Sequence, residues 1–394
     1  MFREKIISLY ERFLDSQFCK GNRLWWINNC KRNGIDPYKP QKGEEQYLAL
    51  WHKVSPKVEP YTYRFFSHRM GQVPYIVPES IGHLFLERYL NPLRYQSFYS
   101  DKNAYNMYLD SSVSPKILIS RINGSRLMDE NFRLIEKFSN NIRTITAANI
   151  SEVLAQYDKV CLKPSIDTDS GTGVLLFSKG ADALFKTIDG TVLSGEFLNG
   201  YGTNFNIQEV LAQHPYLAQF NDTSVNTLRL SVYRSVVDER LHVNGAFLRI
   251  GVKGSFVYNV HAGGRFVGID TATGKLQKTT LDQYGTRRAE WNGIDFSKTD
   301  FTIPQWDKIT AFAKMLASHN IHMRLHSMDI SMDCSGTPKM IEMNFGGFAY
   351  WMHMMCGQDV FNGEVEDVIV YCNKQRQNTR KHLRILDIYP PTPR

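Results

Sequence analysis

Residues 328–344 run Met328-Asp329-Ile330-Ser331-Met332-Asp333, then Cys334-Ser335-Gly336-Thr337, then Pro338-Lys339-Met340-Ile341-Glu342-Met343-Asn344. Both flanks alternate polar and apolar residues and the middle is turn chemistry, so the stretch predicts an antiparallel hairpin. With Cys334 to Thr337 as the turn, Asp329 falls directly opposite Glu342. Opposed residues share one face, with Cβ atoms about 4.5–5.5 Å apart. Asn344, two residues beyond Glu342, lies on the same face. Like charges so placed destabilise a sheet unless a cation lies between them. Two carboxylates and an amide oxygen are hard ligands that suit Mg²⁺, which usually joins protein to phosphate. Without that cation the stretch is a solvent-facing hairpin carrying ordinary surface acids.

The 394 residues are enough for two or three lobes, and a hydrophobic content of 42% supplies a substantial core. No run of about 18 apolar residues occurs, so no membrane-spanning helix is expected. The opening segment is amphipathic and lacks both an apolar signal core and a small-residue cleavage site. Cys19, Cys30, Cys161, Cys334, Cys356 and Cys372 are scattered without a CxxC pair. That argues against a zinc site and for reduced thiols in a cytoplasm. Of the net charge of +8, basic residues gather near Trp25 and Trp26 (Lys20, Arg23, Lys31, Arg32) and at the end (Lys374, Arg376, Arg380, Lys381, Arg384). They form either a solvated basic surface or a contact for an anionic membrane or glycan. No nucleic-acid module is recognisable, so nucleic acid is not an expected partner.

Along the chain, Phe2, Ile6, Leu9, Tyr10, Phe13 and Leu14 mark a first helix. Glu44 to Val54 and Ser80 to Leu90 predict two more, the last capped by Ser80. Asp101 caps a short helix, Lys102 to Leu109; Lys116 to Ser120 is a strand; Asp129 to Phe138 and Ile150 to Tyr157 read as helices. From Lys159 strands dominate: Val160 to Lys163, Gly173 to Phe177, Asn206 to Leu211, and a hairpin of Thr227 to Val237 with Leu241 to Gly251. Gln305 to His319 is a helix leading to the acidic hairpin.

Several short constellations could carry chemistry. Val160-Cys161-Leu162-Lys163-Pro164 leads through Ser165 to Ser170 into Gly171-Thr172-Gly173-Val174. Glycines let backbone N–H groups face an anion, and the lysine adds a point charge. The spacing fits neither a Walker A loop nor a dinucleotide fingerprint, and an ordinary hairpin with a glycine turn reads equally well. Glu209 ends an apolar run and is either a solvated strand end or a partner for ribose or adenine, with Val210 and Leu211 beside it. Arg229 and Arg249, on predicted partner strands, are surface residues or a bidentate clamp for phosphate or carboxylate. In Tyr258-Asn259-Val260-His261-Ala262-Gly263-Gly264-Arg265 the paired glycines allow close backbone approach, and His261 is structural or substrate-facing.

Taken in order, Asp101-Lys102, Lys163, the glycine loop, Glu209, Arg229, Asp329 and Glu342 with Asn344 resemble the ATP-grasp superfamily. The chain looks most like the sugar-transfer-associated ATP-grasp proteins that accompany polysaccharide-biosynthesis genes. Ser224 to Arg229, Leu248 to Gly251, Asn259 with Gly263-Gly264, Met328 to Ile330 and Ile341 to Asn344 carry the resemblance over roughly residues 100–370; residues 1–95 match only loosely. The resemblance implies an α+β ATP-grasp fold, two α+β subdomains gripping ATP, preceded by a mainly helical N-terminal region. The corresponding divisions are 1–95, a pre-ATP-grasp lobe at 96–158, an ATP-grasp domain at 159–372 and a basic tail at 373–394.

By the same resemblance, Lys102 and Lys163 would contact ATP phosphates, with Gly171, Thr172 and Gly173 in the loop closing over them. Glu209, Val210 and Leu211 would hold adenine and ribose. Arg229, with Arg249 on the partner strand, would stabilise the transferring phosphoryl group, and Asp329, Glu342 and Asn344 would ligate Mg²⁺. His261 is a candidate for deprotonating an amine. Tyr258 stands where an acidic residue is expected, and Phe345-Gly346-Gly347 follows Asn344 where many relatives carry proline. The implied chemistry is carboxylate–amine ligation through an acylphosphate, on a uronic-acid sugar or amino acid, in making or decorating a surface polysaccharide. The expected setting is the cytoplasm, with peripheral contact at the inner membrane face. A sugar kinase on the same scaffold and a non-catalytic nucleotide-binding protein are the alternatives.

Overall fold

Two main sheets and the helices packed on them account for the computed structural model, which describes residues 2–135, 138, 142–166, 171–254 and 263–378. The chain forms two units. The larger comprises Met1–Gln96, Ala218–Ile330 and Met343–Arg394; the smaller comprises Ser97–Leu217 and Ser331–Glu342.

The smaller unit is built on β1 (Ile117–Ile122), β2 (Lys159–Pro164), β3 (Leu175–Lys179), β4 (Phe185–Lys186) and β5 (Asn204–Glu209), in the order β1-β5-β2-β3-β4. Every neighbouring pair is antiparallel. Ile119, Val160, Leu162, Phe177, Phe205 and Ile207 are buried in one apolar cluster with Ile150 and Leu198 of the helices Ala147–Val153 and Gly195–Tyr201. Thr146 and Asn149 close a reciprocal cap on the first of these helices. Gly195 opens the second against the turn Ile142–Thr144, where a Cβ would overlap the Ile142 and Ile145 carbonyl oxygens.

In the larger unit, β6 (Thr227–Arg234), β7 (Leu241–Ile250), β8 (Arg265–Gly268), β9 (Thr280–Leu281) and β10 (Arg287–Arg288) precede a two-stranded ribbon, β11 (Glu290–Trp291) with β12 (Ile294–Asp295). β13 (Leu325–Met332) and β14 (Pro338–Asn344) complete a seven-stranded sheet ordered β10-β9-β8-β7-β6-β13-β14. The β6–β7 hairpin forms as expected, and its register sets Arg229 beside Phe247 and Thr227 beside Arg249. β13 lies on the other side of β6 with Asp329 opposite Arg229. Helices among residues 2–90 share the core of this unit. Trp26, Trp51, Tyr63, Phe65 and Phe66 pack in one cluster with Tyr233, Phe247, Phe266, Tyr350 and Phe361. The helix Trp306–His319 buries Ile309, Ala313 and Leu316, as its periodicity predicts. Among the described residues no helix is long and apolar enough to cross a membrane.

Three local expectations change. Residues 129–134 form turns and isolated bridges rather than a helix. The Asp129 side chain accepts the N–H groups of Asn131 and Arg133, and such a local turn competes with helix formation. Ser80 lies inside the segment Glu79–Ile81, which follows Pro78 and continues as a π-helix over Gly82–Leu86, so it caps nothing. The helix expected from Ile150 starts at Ala147, because Thr146 supplies the cap.

Candidate functional site

In the smaller unit the Asp101 carboxylate accepts the Asn103 N–H and starts the turn Lys102–Ala104. The turn is fastened to the sheet: Lys102 N donates to Ser165 O (3.0 Å), and Asn103 Nδ2 donates to the carbonyls of Arg121 and Phe205. Asn206 Nδ2 donates to Asn103 Oδ1 at 3.2 Å. The buried Lys102 ammonium is thereby held 3.0 Å from Glu342 Oε1. Lys163 on β2, in register with Asn206, is also buried. Its burial, and then the neighbouring Lys102, bring its pKa down to about 8, while Cys161 and Glu342 act the other way. Two buried lysines with Glu342 as the carboxylate that bears on both are an arrangement an added anion would relieve. That fits phosphate oxygens.

Gly171 and Gly173 have φ of +75° and +79°, a region glycine enters without strain, and Thr172 between them is exposed. Tyr201 Oη donates to Gly173 O at 2.6 Å. The loop backbone is therefore tied to the end of the helix Gly195–Tyr201 at its second glycine; residues 167–170, with Asp167 and Asp169, lie outside the described residues. Glu209 closes β5 half-buried, and its Oε1 accepts the Lys116 N–H at 2.9 Å. Val210 and Leu211 follow it, also half-buried.

In the larger unit the Asp329 carboxylate is fully buried and meets two guanidinium groups. Oδ1 accepts from Arg229 Nε at 2.8 Å, and Oδ2 accepts from Arg229 Nη2 at 2.6 Å and Arg249 Nη1 at 2.9 Å. Burial alone would raise this carboxyl, but Arg229 and Arg249 outweigh it and hold the group below the ordinary carboxylate range. The positive charge beside Asp329 is that of Arg229 and Arg249. Asn344 is half-buried, with Nδ2 donating to Ser327 O at 3.5 Å.

The expected turn also differs. Asp333 N donates to Thr337 O (3.0 Å) and Gly336 N to Asp333 O (2.9 Å), across a three-residue loop with Gly336 at φ +85°. At the turn this moves the register one residue from the one that set Asp329 opposite Glu342. Among the described residues no group of three or more His, Cys, Asp or Glu side chains is arranged to hold a metal. Asp329 is hydrogen-bonded to both arginines, and Glu342 and Asn344 lie two residues apart on β14. His261, with Tyr258 and Asn259, lies outside the described residues.

One cluster escaped the sequence reading, although its i, i+4, i+8 spacing was visible. His83 lies 2.8 Å from Glu79 and 2.7 Å from Glu87. Burial opposes its charge, but Glu87 and Glu79 raise its pKa to about 10. The two oxygens of Glu87 accept the N–H groups of Gly347 (2.8 Å) and Phe348 (2.9 Å). Glu87 so fixes the backbone just after Asn344, where the glycine pair replaces the expected proline.

A family model described as sugar-transfer associated ATP-grasp matches residues 93–368. No curated protein matches the chain. Among solved structures, D-alanyl-alanine synthetase A from Vibrio cholerae O1 biovar eltor is 12% identical, with a TM-score of 0.42 over 73% of this chain and 67% of that one. The ATP-grasp ligase PsnB complexed with minimal precursor, Mg and ADP is 12% identical, with a TM-score of 0.38 over 72% and 62%. An L-amino acid ligase from Bacillus licheniformis is 10% identical, with a TM-score of 0.36 over 67% and 48%. The chain spans about two thirds or less of the length of these proteins.

Proposed function

The chain belongs to the sugar-transfer associated ATP-grasp family, and from that premise we propose that it is an ATP- and Mg²⁺-dependent carboxylate–amine ligase. The α+β ATP-grasp fold with a mainly helical N-terminal region, expected from the sequence, holds. The observation that carries the proposal is the buried pair Lys102 and Lys163 with Glu342 beside them, a ready seat for the phosphates of a nucleotide. The proposed role is amide formation in the assembly or decoration of a surface or capsular polysaccharide. The carboxylate is a uronic acid or an amino acid and the amine a small molecule.

In this reading a substrate carboxylate oxygen attacks the γ-phosphorus of ATP, the bond to ADP breaks, and an acylphosphate forms. The amine then attacks the carbonyl carbon, phosphate leaves, and the nitrogen gives up a proton. Carboxylates are poor electrophiles, so activation is the demanding step, and the protein contributes positioning and charge neutralisation. Lys102 and Lys163 bind phosphate, the Gly171-Thr172-Gly173 loop covers it, and Glu209 with Val210 and Leu211 holds the nucleoside. Arg229 and Arg249 face the charge on the transferring phosphoryl group, and His261 takes the amine proton. Mg²⁺, when bound, would neutralise phosphate oxygens, and Asp329, Glu342 and Asn344 are the residues proposed to hold it.

The test is turnover of Mg²⁺-ATP with a panel of uronic acids, amino acids and amines, with hydroxylamine added to trap an acylphosphate as hydroxamate. Amide product with ADP and free phosphate, and hydroxamate in the trap, are expected. A phosphorylated sugar without free phosphate would make the protein a kinase, and nucleotide binding without any turnover would make it a non-catalytic binder; either outcome refutes the ligase.

A further inference from the structure

Asn344 ends β14, the outermost strand of the seven-stranded sheet, so it has a strand neighbour on one side only. Its side-chain bond to Ser327 O is long, at 3.5 Å. Phe345 follows, and then the exposed pair Gly346-Gly347, with Gly347 at φ +66°. Glycine has the widest backbone freedom, so this strand end has to be fixed from elsewhere.

The segment 79–91, which precedes the matched residues 93–368, supplies the fixing. Buried Asn91 donates from Nδ2 to Phe345 O at 2.8 Å and to Leu325 O at 2.6 Å, and its Oδ1 accepts the N–H groups of Arg324 and Leu325 at 3.0 Å each. It fastens the residue after Asn344 to the start of β13. Glu87 accepts the Gly347 and Phe348 N–H groups on its two oxygens. Gly82 permits this approach, since an added Cβ would lie 2.5 Å from Tyr350 Cε2. Glu79 and Glu87 are both buried, and two carboxylates in one buried cluster need a counter-charge. His83 provides it: each ring nitrogen donates to one carboxylate, so the ring is an imidazolium. Glu87 is thereby kept as a charged acceptor, which makes the stronger hydrogen bonds.

We propose that Glu87 and His83 are positioning residues for Asn344: they hold the turn after β14, and so hold the Asn344 side chain in the orientation in which it ligates Mg²⁺. The inference rests on the metal role proposed for Asn344. Glu342 and Asn344 offer oxygen donors on one face of β14, the donor chemistry Mg²⁺ takes. Groups that orient a metal ligand from behind are typically worth about 10- to 100-fold in metal affinity or activity. The segment 79–91 is then part of the site's support and not an appendage to it.

The experiment is calorimetric titration of the full chain with ADP, with and without Mg²⁺, beside amide exchange followed by mass spectrometry on the protein free of nucleotide and metal. Glu87→Gln and His83→Gln should each cut the Mg²⁺ enhancement of ADP affinity by about tenfold or more and leave Mg²⁺-free ADP affinity unchanged. In an Asn344→Ala background neither should cut it further, because the effect runs through Asn344. Exchange over residues 345–351 should quicken in both variants, which reads the support with no ligand bound. Should a single change lower the folded fraction, Glu87→Gln with His83→Gln removes the uncompensated charge and reads the same coupling. Quicker exchange with an unchanged Mg²⁺ enhancement makes the cluster structural only and overturns the proposal while the ligase reading stands. Unchanged exchange, or a loss that adds in full to that of Asn344→Ala, overturns it as well. Wild-type ADP binding that is indifferent to Mg²⁺ removes the metal role of Asn344 itself, and the proposal falls with that part of the proposed function.

Discussion

Asp329→Asn should destabilise the larger unit before any catalytic role is tested. The carboxylate is buried on β13 and takes three hydrogen bonds of 2.6–2.9 Å from two arginines. Removing its charge takes away the counter-charge that both guanidinium groups share in a buried setting. Breaking a buried pair in this way costs about 3–5 kcal/mol, out of the roughly 5–15 kcal/mol that hold a typical protein folded. At about 2–4 °C per kcal/mol for a unit of this size, its melting temperature should fall by about 6–20 °C. Calorimetry of the nucleotide-free protein at neutral pH measures this directly. A second variant, Asp329→Leu with Arg229→Met and Arg249→Met, replaces the three charges by apolar groups. Such replacements are often neutral or stabilising, so the melt should recover while turnover does not. The pH dependence has a definite sign. Because the folded pKa is depressed, the Asp329 contribution is present above the unfolded carboxylate value near 3.9 and is lost as pH falls through the folded value. The deficit of Asp329→Asn should therefore shrink below about pH 4. A nucleotide-free melt within about 2 °C of wild type at neutral pH would refute the argument that these arginines depend on this carboxylate.

Lys163→Ala should weaken ATP binding about 10- to 150-fold, the worth of a charge-assisted hydrogen bond, while adenosine binding changes little; equal losses for both in calorimetric titrations would contradict phosphate contact. Since burial and Lys102 bring Lys163 to about 8, the folded group is neutral and the unfolded one charged from there up to about 10.4, so its contribution to stability rises with pH across that window. ATP favours the ammonium form, so binding at pH about 9 should take up a proton, measured as a dependence of binding heat on buffer ionisation heat that Lys163→Met abolishes. Glu342→Gln should lower Mg²⁺-dependent turnover by about two orders of magnitude or more with the fold intact by circular dichroism; wild-type turnover would remove Glu342 from the metal role. Gly195→Ala should cost about 1–3 kcal/mol in urea unfolding, because its Cβ meets backbone carbonyls that cannot move aside cheaply.

Legibility varied with the range of the interaction. The β6–β7 hairpin, the strands flanking the acidic turn and the helix Trp306–His319 were readable because period and turn residues lie within one window. The segment after Asp129 misled because its apolar spacing suits a helix, while its aspartate satisfies local N–H groups in a turn. The hairpin closes around three residues where its turn chemistry suggests four, and one residue is enough to change which side chains oppose each other. The Glu79, His83 and Glu87 spacing was present in the sequence, but nothing local indicated that Glu87 would reach backbone 260 residues away.

By itself the sequence determined the strand and helix periods, the α+β class and the ordered set of lysines, acids and arginines by which the family can be recognised. Tertiary structure alone decided the partners of those charges. Arg229 and Asp329 are 100 residues apart in the chain and meet because β13 takes the place beside β6. Lys102 meets Glu342 through a turn stapled to the smaller sheet. The physical reason is that local periodicity specifies which face of an element is buried, whereas the neighbour of a charged group is set by strand order and register. Those follow from the packing of the whole unit, and they set Asp329 beside Arg229 and Arg249 and Glu342 beside Lys102.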